Sequence, residues 1–262
     1  MEDIIPEIKR EYIISLLEQG KRIDDRGFDD YRDISIETGL IEKAEGSARV
    51  KFGKTQIMVG VKLTLGAPFS DMPNSGVLTT NVELVPVASP GFELGPPGED
   101  SIEIARVVDR VIRESDCIDI EKLCLKEGEK VWIVFVDIHV LDYGGNLFDA
   151  AALGSIAALM TSTFPAVDEN GTVDYKTKTD EKLPVVDKPV EVTFAKIGDY
   201  ILVDPCLEEE EILSARLTIG YNSKGNVVAM QKGGSGTFTQ KEIIELVNRG
   251  REKAEELRTF LE

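Results

Sequence analysis

The sequence is poor in the residues that build metal and redox centres. Its 262 residues include three cysteines and one histidine. Cys117, Cys124 and Cys206 are odd in number and show no C-x-x-C spacing. That excludes a disulfide framework and a cysteine-built zinc site, and it fits a reducing cytoplasm. His139 is one histidine too few for a His-built catalytic or metal centre. It alternates within Val134–Val140 and so reads as a strand residue. No run approaches the ~18 apolar residues of a membrane span. The opening Met1-Glu2-Asp3-Ile4-Ile5-Pro6 lacks the basic-then-apolar order of a signal peptide. A cytoplasmic chain without a membrane partner is therefore expected. Positive charge is also scarce: 30 Lys and Arg stand against 48 Asp and Glu, a net charge of −18. This argues against a free-standing nucleic-acid binder, whose signature is a basic excess.

What is present is ordinary globular composition, 42% hydrophobic and 30% charged, in a chain long enough for one large domain or two small ones. Residues 6–19 place Ile8, Tyr12, Ile13, Leu16 and Leu17 at helical spacing, and the charged stretch Lys21–Gly27 reads as a loop. Alternation then takes over from Ile34 to Leu65. Ser47–Phe52 and Thr55–Val61 meet across Gly53-Lys54 as a hairpin. Gly66–Gly76 is a loop, Leu78–Val87 a strand, Ser101–Arg113 a helix and Val131–Val140 a buried strand. Asp142–Asn146 forms a glycine turn into the small-residue helix Ala150–Met160, suited to close packing against a sheet. Residues 166–187 are polar and turn-rich, a linker. Strands at 190–195, 200–203, 215–219 and 227–230 precede a final helix, Lys241–Leu261, opened by the capping box Thr239/Glu242. Strands then helices in two successive rounds predict an α+β chain of two similar lobes, residues 1–165 and 188–262 joined by 166–187.

Most of the individual motifs have bland explanations. Gly53-Lys54-Thr55 would need a glycine at position 48, where Ala48 stands, to complete a phosphate-binding P-loop. Gly233-Gly234-Ser235-Gly236 lacks the third glycine and the βαβ setting of a dinucleotide loop, so it reads as a turn into a capped helix. Glu208–Glu211 reads as a solvated acidic patch rather than a cation site, since consecutive side chains diverge. The helix after Pro97 is more informative. Arg106, Arg110 and Arg113 fall at i, i+4 and i+7 and share one face, while Ile104, Val107, Val108, Val111 and Ile112 take the other. Arginine's planar fork suits phosphate oxygens. The competing explanation of such a stripe is a salt-bridged face.

The ordered series Arg26-Gly27, Tyr31-Arg32, Glu37-Thr38-Gly39, Ala44–Ala48, Gly53–Gln56, Glu103–Arg106 with Arg110 and Arg113, and Asp142–Gly145 resembles the RNase PH family over almost the whole chain. Within that family it is most similar to the non-catalytic RNase PH-like subunits of the archaeal exosome. The resemblance implies an α+β RNase PH-like fold, two similar lobes of mixed sheets packed with helices. It also implies a hexameric ring of three heterodimers, in which such subunits alternate with catalytic RNase PH-like subunits around a pore for single-stranded RNA. RNA-binding cap proteins are the further partners implied, with no cofactor and no metal.

Active members attack the RNA 3′ end with inorganic phosphate, which must be held against the RNA's own phosphates by cations and hydrogen-bond donors. In them the glycine turn continues Gly-Gly-(Thr/Ser)-Arg, and the hydroxyl, the arginine and a helix N-terminus cradle the phosphate. Here it runs Gly144-Gly145-Asn146-Leu147, with Asp149 adding negative charge at the helix start. An aspartate pair of the active enzymes is matched at best by Asp187 and by Asp180 or Glu181, each of which also reads as a surface carboxylate. The resemblance places Arg106, Arg110 and Arg113 on the RNA path. It therefore implies a subunit with RNA-binding arginines and no catalytic residues. The alternatives are an active homohexameric phosphorolytic exoribonuclease and a purely architectural subunit.

Overall fold

The computed structural model describes residues 7–168 and 172–262, without the side chains of Glu7 and Ile8. The first helix is α1, Glu7–Glu18. Its predicted start at residue 6 and the side chain of Ile8 lie outside the described residues. Ile13 and Leu17 are buried as their spacing predicts, whereas Tyr12 is exposed.

β1 (Ile34–Thr38), β2 (Gly46–Phe52), β3 (Thr55–Gly66) and β4 (Val77–Leu84) follow, then α2 (Glu99–Glu114), β5 (Cys124–Lys126) and β6 (Lys130–Asp142). They form a sheet in the order β1-β2-β3-β6-β4, with β5 on β6. All its pairs are antiparallel except β4 with β6. A parallel pair needs a crossover, and α2 lies on that connection. β4 stops at Leu84, short of the predicted Val87. Pro86 has no N–H to give a ladder, and Ala88 N–H instead closes a turn onto Val85 O.

α3 (Leu147–Met160) is apolar all round and buried along its length except at its last residue, and so occupies the centre of the molecule. It packs on β2 and β3 on one side and, on the other, on β9 (Val190–Ile197) of the second sheet. The predicted close approach is real. A Cβ on Gly154 would stand 3.0 Å from Val59 and 3.2 Å from Val50. Between α3 and β9, β7 (Thr163–Val167) and β8 (Val173–Lys182) pair antiparallel. Of the predicted linker 166–187, residues 173–182 are one arm of a β-ribbon, while 169–171 lie outside the described residues. The alternation Val173, Tyr175, Thr177, Thr179 carried that signal beneath a polar composition.

β9 is followed by β10 (Tyr200–Val203), the short α4 (Leu207–Glu210), β11 (Ala215–Tyr221), β12 (Val227–Gly233) and α5 (Gln240–Arg258). The second sheet runs β10-β9-β11-β12, all antiparallel. α5 starts with the expected capping box. Glu242 N–H donates to Thr239 Oγ1 at 3.2 Å, and Thr239 N–H donates to Glu242 Oε2 at 2.6 Å. Residues of both sheets, α2, α3 and α5 share one hydrophobic core. The architecture is mixed α+β.

Candidate functional site

α2 begins after Pro96-Pro97-Gly98, with Glu99 and Asp100 in its first turn, where acidic side chains complement the positive helix end. Ile104, Val107, Val108, Val111 and Ile112 are buried. This amphipathic seating leaves Arg106, Arg110 and Arg113 together on the outer face, where they line a groove of about 470 Å³ beside the edge strand β4. Arg106 and Arg110 also line a neighbouring groove of about 340 Å³ that reaches Gln231 on β12. Arg113 pairs with Asp109 at 2.9 Å. Among the described residues Arg106 and Arg110 form no ion pair, so most of the stripe is available to an external anion. Beneath it, on β9, Glu191 is fully buried with neither carboxylate oxygen hydrogen-bonded among the described residues. Burial, reinforced by Asp149, pushes its pKa well up against the opposing pull of Arg216 and Arg110.

The second feature is the glycine turn. Gly144 and Gly145 are forced by close approach: a Cβ on Gly144 would stand 2.9 Å from the Cβ of Lys54, and one on Gly145 2.5 Å from the backbone of Cys206. Gly145 also has φ +96°. Thr55, at the hairpin rather than in a P-loop, pins this turn by donating to Gly145 O at 2.6 Å and accepting from Gly144 N–H at 3.1 Å. Asn146 then caps α3 in the left-handed region, φ 52° and ψ 59°.

At that helix end, the natural place for an external phosphate, three of the chain's own carboxylates converge on the N-cap residue Asn146. Glu210 accepts the backbone N–H of Asn146 at 2.8 Å and the hydroxyl of Tyr143 at 2.7 Å. The Asn146 amide donates to Asp204 at 2.8 Å and to Asp149 at 2.9 Å. Burial pushes the Asp149 carboxyl up to about 7, against hydrogen bonds from Asn146 and Thr193 that favour its ionised form. Burial also opposes ionisation of Asp204, but hydrogen bonds and charge from Arg32, with the charge of Arg26, hold it below the usual range. Leu147 is buried, 6% exposed. The adjoining cavity of about 210 Å³ is lined by Asp100, Glu103 and Glu210 and by a single arginine, Arg216. That cation is committed, 2.7 Å from Glu103 and stacked 4.0 Å over the Phe148 ring. The acidic lining and the committed arginine of this cavity disfavour a bound phosphate there.

Glu208–Glu211 is not a solvated patch. Glu209 is fully buried and takes two hydrogen bonds from Arg22, at 2.9 and 2.6 Å, while Glu210 serves the glycine turn. Likewise Lys21–Gly27 is no mere surface loop, since Arg22 and Arg26 reach from it into the second half of the chain. Sequence reasoning missed Arg22 and the pairing of Arg22, Arg26 and Arg32 with Asp204 and Glu209, and the bond of Glu210 to the glycine turn. For the arginines, Asp204 and Glu209 the signal was charge complementarity between segments 172 to 187 residues apart, which no local pattern displays.

Asp187 accepts N–H bonds from Lys188 at 2.6 Å and Ser223 at 2.9 Å, a turn-fixing role, and Asp180 and Glu181 are exposed on β8. Among the described residues no hydrogen bond or ion pair joins these three to the glycine turn. His139 lies in β6, its Nδ1 3.2 Å from Glu83.

Comparison with known proteins gives this geometry its context. Residues 30–165 match the model of domain 1 of the 3′ exoribonuclease family, RNase PH, and residues 187–253 match domain 2. The chain is 53% identical over 261 residues to the exosome complex component Rrp42 of Methanothermobacter thermautotrophicus, covering 99% of this chain and 96% of that one. A solved structure described as the Archaeoglobus fulgidus exosome with RNA bound to the active site includes a chain that is 51% identical. It superposes with a TM-score of 0.93, covering 99% of this chain and 100% of that chain. A chain of an archaeal exosome core is 48% identical with a TM-score of 0.88, covering 100% and 99%. With both family domains matched in order, and relatives of this identity along its length, the chain belongs to the 3′ exoribonuclease (RNase PH) family.

Proposed function

We propose that this chain is a catalytically silent subunit of an archaeal exosome, a complex that degrades RNA from the 3′ end by phosphorolysis. It completes the active site of a homologous catalytic subunit and contributes Arg106, Arg110 and Arg113 to the RNA path. Three such heterodimers alternate in a hexameric ring that works in the cytoplasm beneath RNA-binding cap proteins. Residues 1–165 and 188–262 are its two family lobes.

The observation that carries the proposal is the contrast between two neighbouring features. The arginine face is open, with two of its three cations unpaired among the described residues. At the helix end that would hold attacking phosphate, Glu210, Asp204 and Asp149 converge on Asn146, and Leu147 supplies no charge there. Phosphate contacts along an RNA backbone carry no sequence information, which suits a general degradative path. The acidic exterior repels RNA elsewhere and so confines it to that path.

The test is phosphorolysis of single-stranded RNA by the purified chain, by its catalytic partner, and by the two together. The expected result is no activity from the chain alone and full activity from the pair. Robust phosphorolysis by the lone chain would overturn the proposal in favour of an active homohexamer.

A further inference from the structure

We infer that Asp109 is a built-in competitor for RNA phosphate, a positioning residue that limits how tightly the arginine face can hold the strand. This rests on the RNA-path role proposed above for Arg106, Arg110 and Arg113.

Asp109 lies three residues after Arg106 and four before Arg113, so it neighbours both on the helix surface. Two acids, Asp109 and Glu114, line the groove. Of these two acids, among the described residues only Asp109 is bonded to an arginine of the stripe. Nη2 of Arg113 donates to both of its oxygens, at 3.1 and 2.9 Å, and also reaches Leu78 O at 3.5 Å. The carboxylate is also held from across the groove, where Thr80 Oγ1 on the edge strand β4 donates to Oδ1 at 3.3 Å. It is thus fixed between the strand and the helix, where a phosphate bound to the stripe would lie.

The Asp109–Arg113 pair is strong enough to orient Arg113 and weak enough to be displaced. The Arg113 side chain is 53% exposed, and exposed i,i+4 pairs contribute about a factor of two to a local equilibrium. An RNA phosphate offering charge-assisted hydrogen bonds can take Arg113 from it. Asp109 then remains as a fixed negative charge facing the phosphate, and it recaptures Arg113 when the phosphate moves on. A strand that must advance one nucleotide per reaction cycle benefits from a grip that releases as readily as it forms.

The experiment uses the chain assembled with its catalytic partner and a labelled single-stranded RNA oligonucleotide, with Kd measured over a KCl series. Asp109→Asn is expected to bind about three- to tenfold more tightly at low salt. The slope of log affinity against log[KCl] should steepen, by at most the ~0.7 of one phosphate neutralised on a single strand, as the share of bound complexes in which Arg113 holds a phosphate rises. In an Arg113→Ala background the same substitution should leave the slope unchanged. In steady-state phosphorolysis, KM and kcat should fall together as RNA release slows. Asp109→Ser checks the outcome with a side chain that does not mimic the amide, and far-UV circular dichroism verifies the helix. Unchanged or weaker binding by both Asp109 variants would overturn the inference if Arg106→Ala/Arg110→Ala still weakens RNA binding. Unchanged binding by that arginine pair would instead overturn the RNA-path role itself.

Discussion

Arg22 and Glu209 are 187 residues apart in the chain and form a buried ion pair, in which Nε and Nη2 of the guanidinium donate to the two carboxylate oxygens at 2.9 and 2.6 Å. The remaining donors of Arg22 bond Val203 O at 2.9 Å and Asp204 O at 2.8 Å. Arg26 and Arg32 extend the clasp to the Asp204 carboxylate, at 3.0 and 2.7 Å. Asp204 in turn accepts from the Asn146 amide, and Arg32 donates directly to Gly144 O at 2.6 Å and Gly145 O at 3.1 Å, so the charged segment after α1 braces the glycine turn.

Breaking this clasp on one side strands a charge in the interior. Arg22→Met and Glu209→Gln should each cost about 3–5 kcal/mol in urea unfolding, the range for a buried pair that loses one partner. Arg22→Lys should recover little, since an ammonium cannot reproduce the planar fork that grips both carboxylate oxygens and the surrounding carbonyls. A loss below about 1 kcal/mol in equilibrium unfolding would show that the pair is not the brace described.

Charge reversal on the outer face should act on RNA and not on folding. Arg110→Glu in the assembled complex is expected to raise the Kd for single-stranded RNA about tenfold at low salt, with a shallower salt dependence. The melting temperature should fall little, because Arg110 is not tied into any ion pair among the described residues and the nearby Glu191 is held towards its neutral form by burial. Equal affinity in filter binding at low salt would contradict the assigned role.

Restoring the family arginine alone should not restore chemistry. Leu147→Arg introduces a cation where Glu210, Asp204 and Asp149 already converge on the helix end, so the variant should neither bind inorganic phosphate nor phosphorolyse RNA. It should also lose about 2 kcal/mol or more of stability, because Leu147 is buried. Phosphate titration followed by NMR, together with the activity assay, checks both outcomes.

Asp149 gives the chain a definite pH signature. An unfolded aspartate loses its proton near pH ~3.9, whereas the folded carboxyl keeps its proton until about 7. Between those values the folded state binds the extra proton, so this group's contribution is full below about pH 4 and is lost as pH rises through 7. Glu242 works in the opposite sense. The Lys196 hydrogen bond and the capping box lower it to about 2, so its contribution is present above ~4.5 and lost as pH falls towards 2. Urea unfolding at successive pH values should show Asp149→Asn flattening the slope from pH 4 to 7, and Glu242→Gln flattening it below 4.5. An unchanged profile in Asp149→Asn would mean that Asp149 is ionised in the fold.

The elements that could be read from sequence are those in which one short stretch contains its own cause. α2 shows this well: its apolar residues at helical spacing decide which face is buried, and the arginine face follows from the same geometry. The capping box of α5 and the β2–β3 hairpin are equally local. β8 escaped notice because strand alternation among polar, exposed residues looks like a loop when burial is the expected sign. Glu209 was misread for a related reason. Four consecutive glutamates look solvated unless the arginine that desolvates them is known to arrive from residue 22.

By itself, then, the sequence determined the helix faces, the strand alternation, the absence of an arginine at position 147 and, through the order of its motifs, the family resemblance. Only the tertiary structure decided what stands at the helix end beside it. Asn146, Asp149, Asp204 and Glu210 come from three separate segments, and their convergence on one helix end depends on how β9, α4 and α3 pack. Spacing along a chain sets which side chains share a face within one element. Whether a carboxylate meets water, an arginine or a helix N-terminus is set by long-range packing, because burial and electrostatics depend on distance in space rather than in sequence.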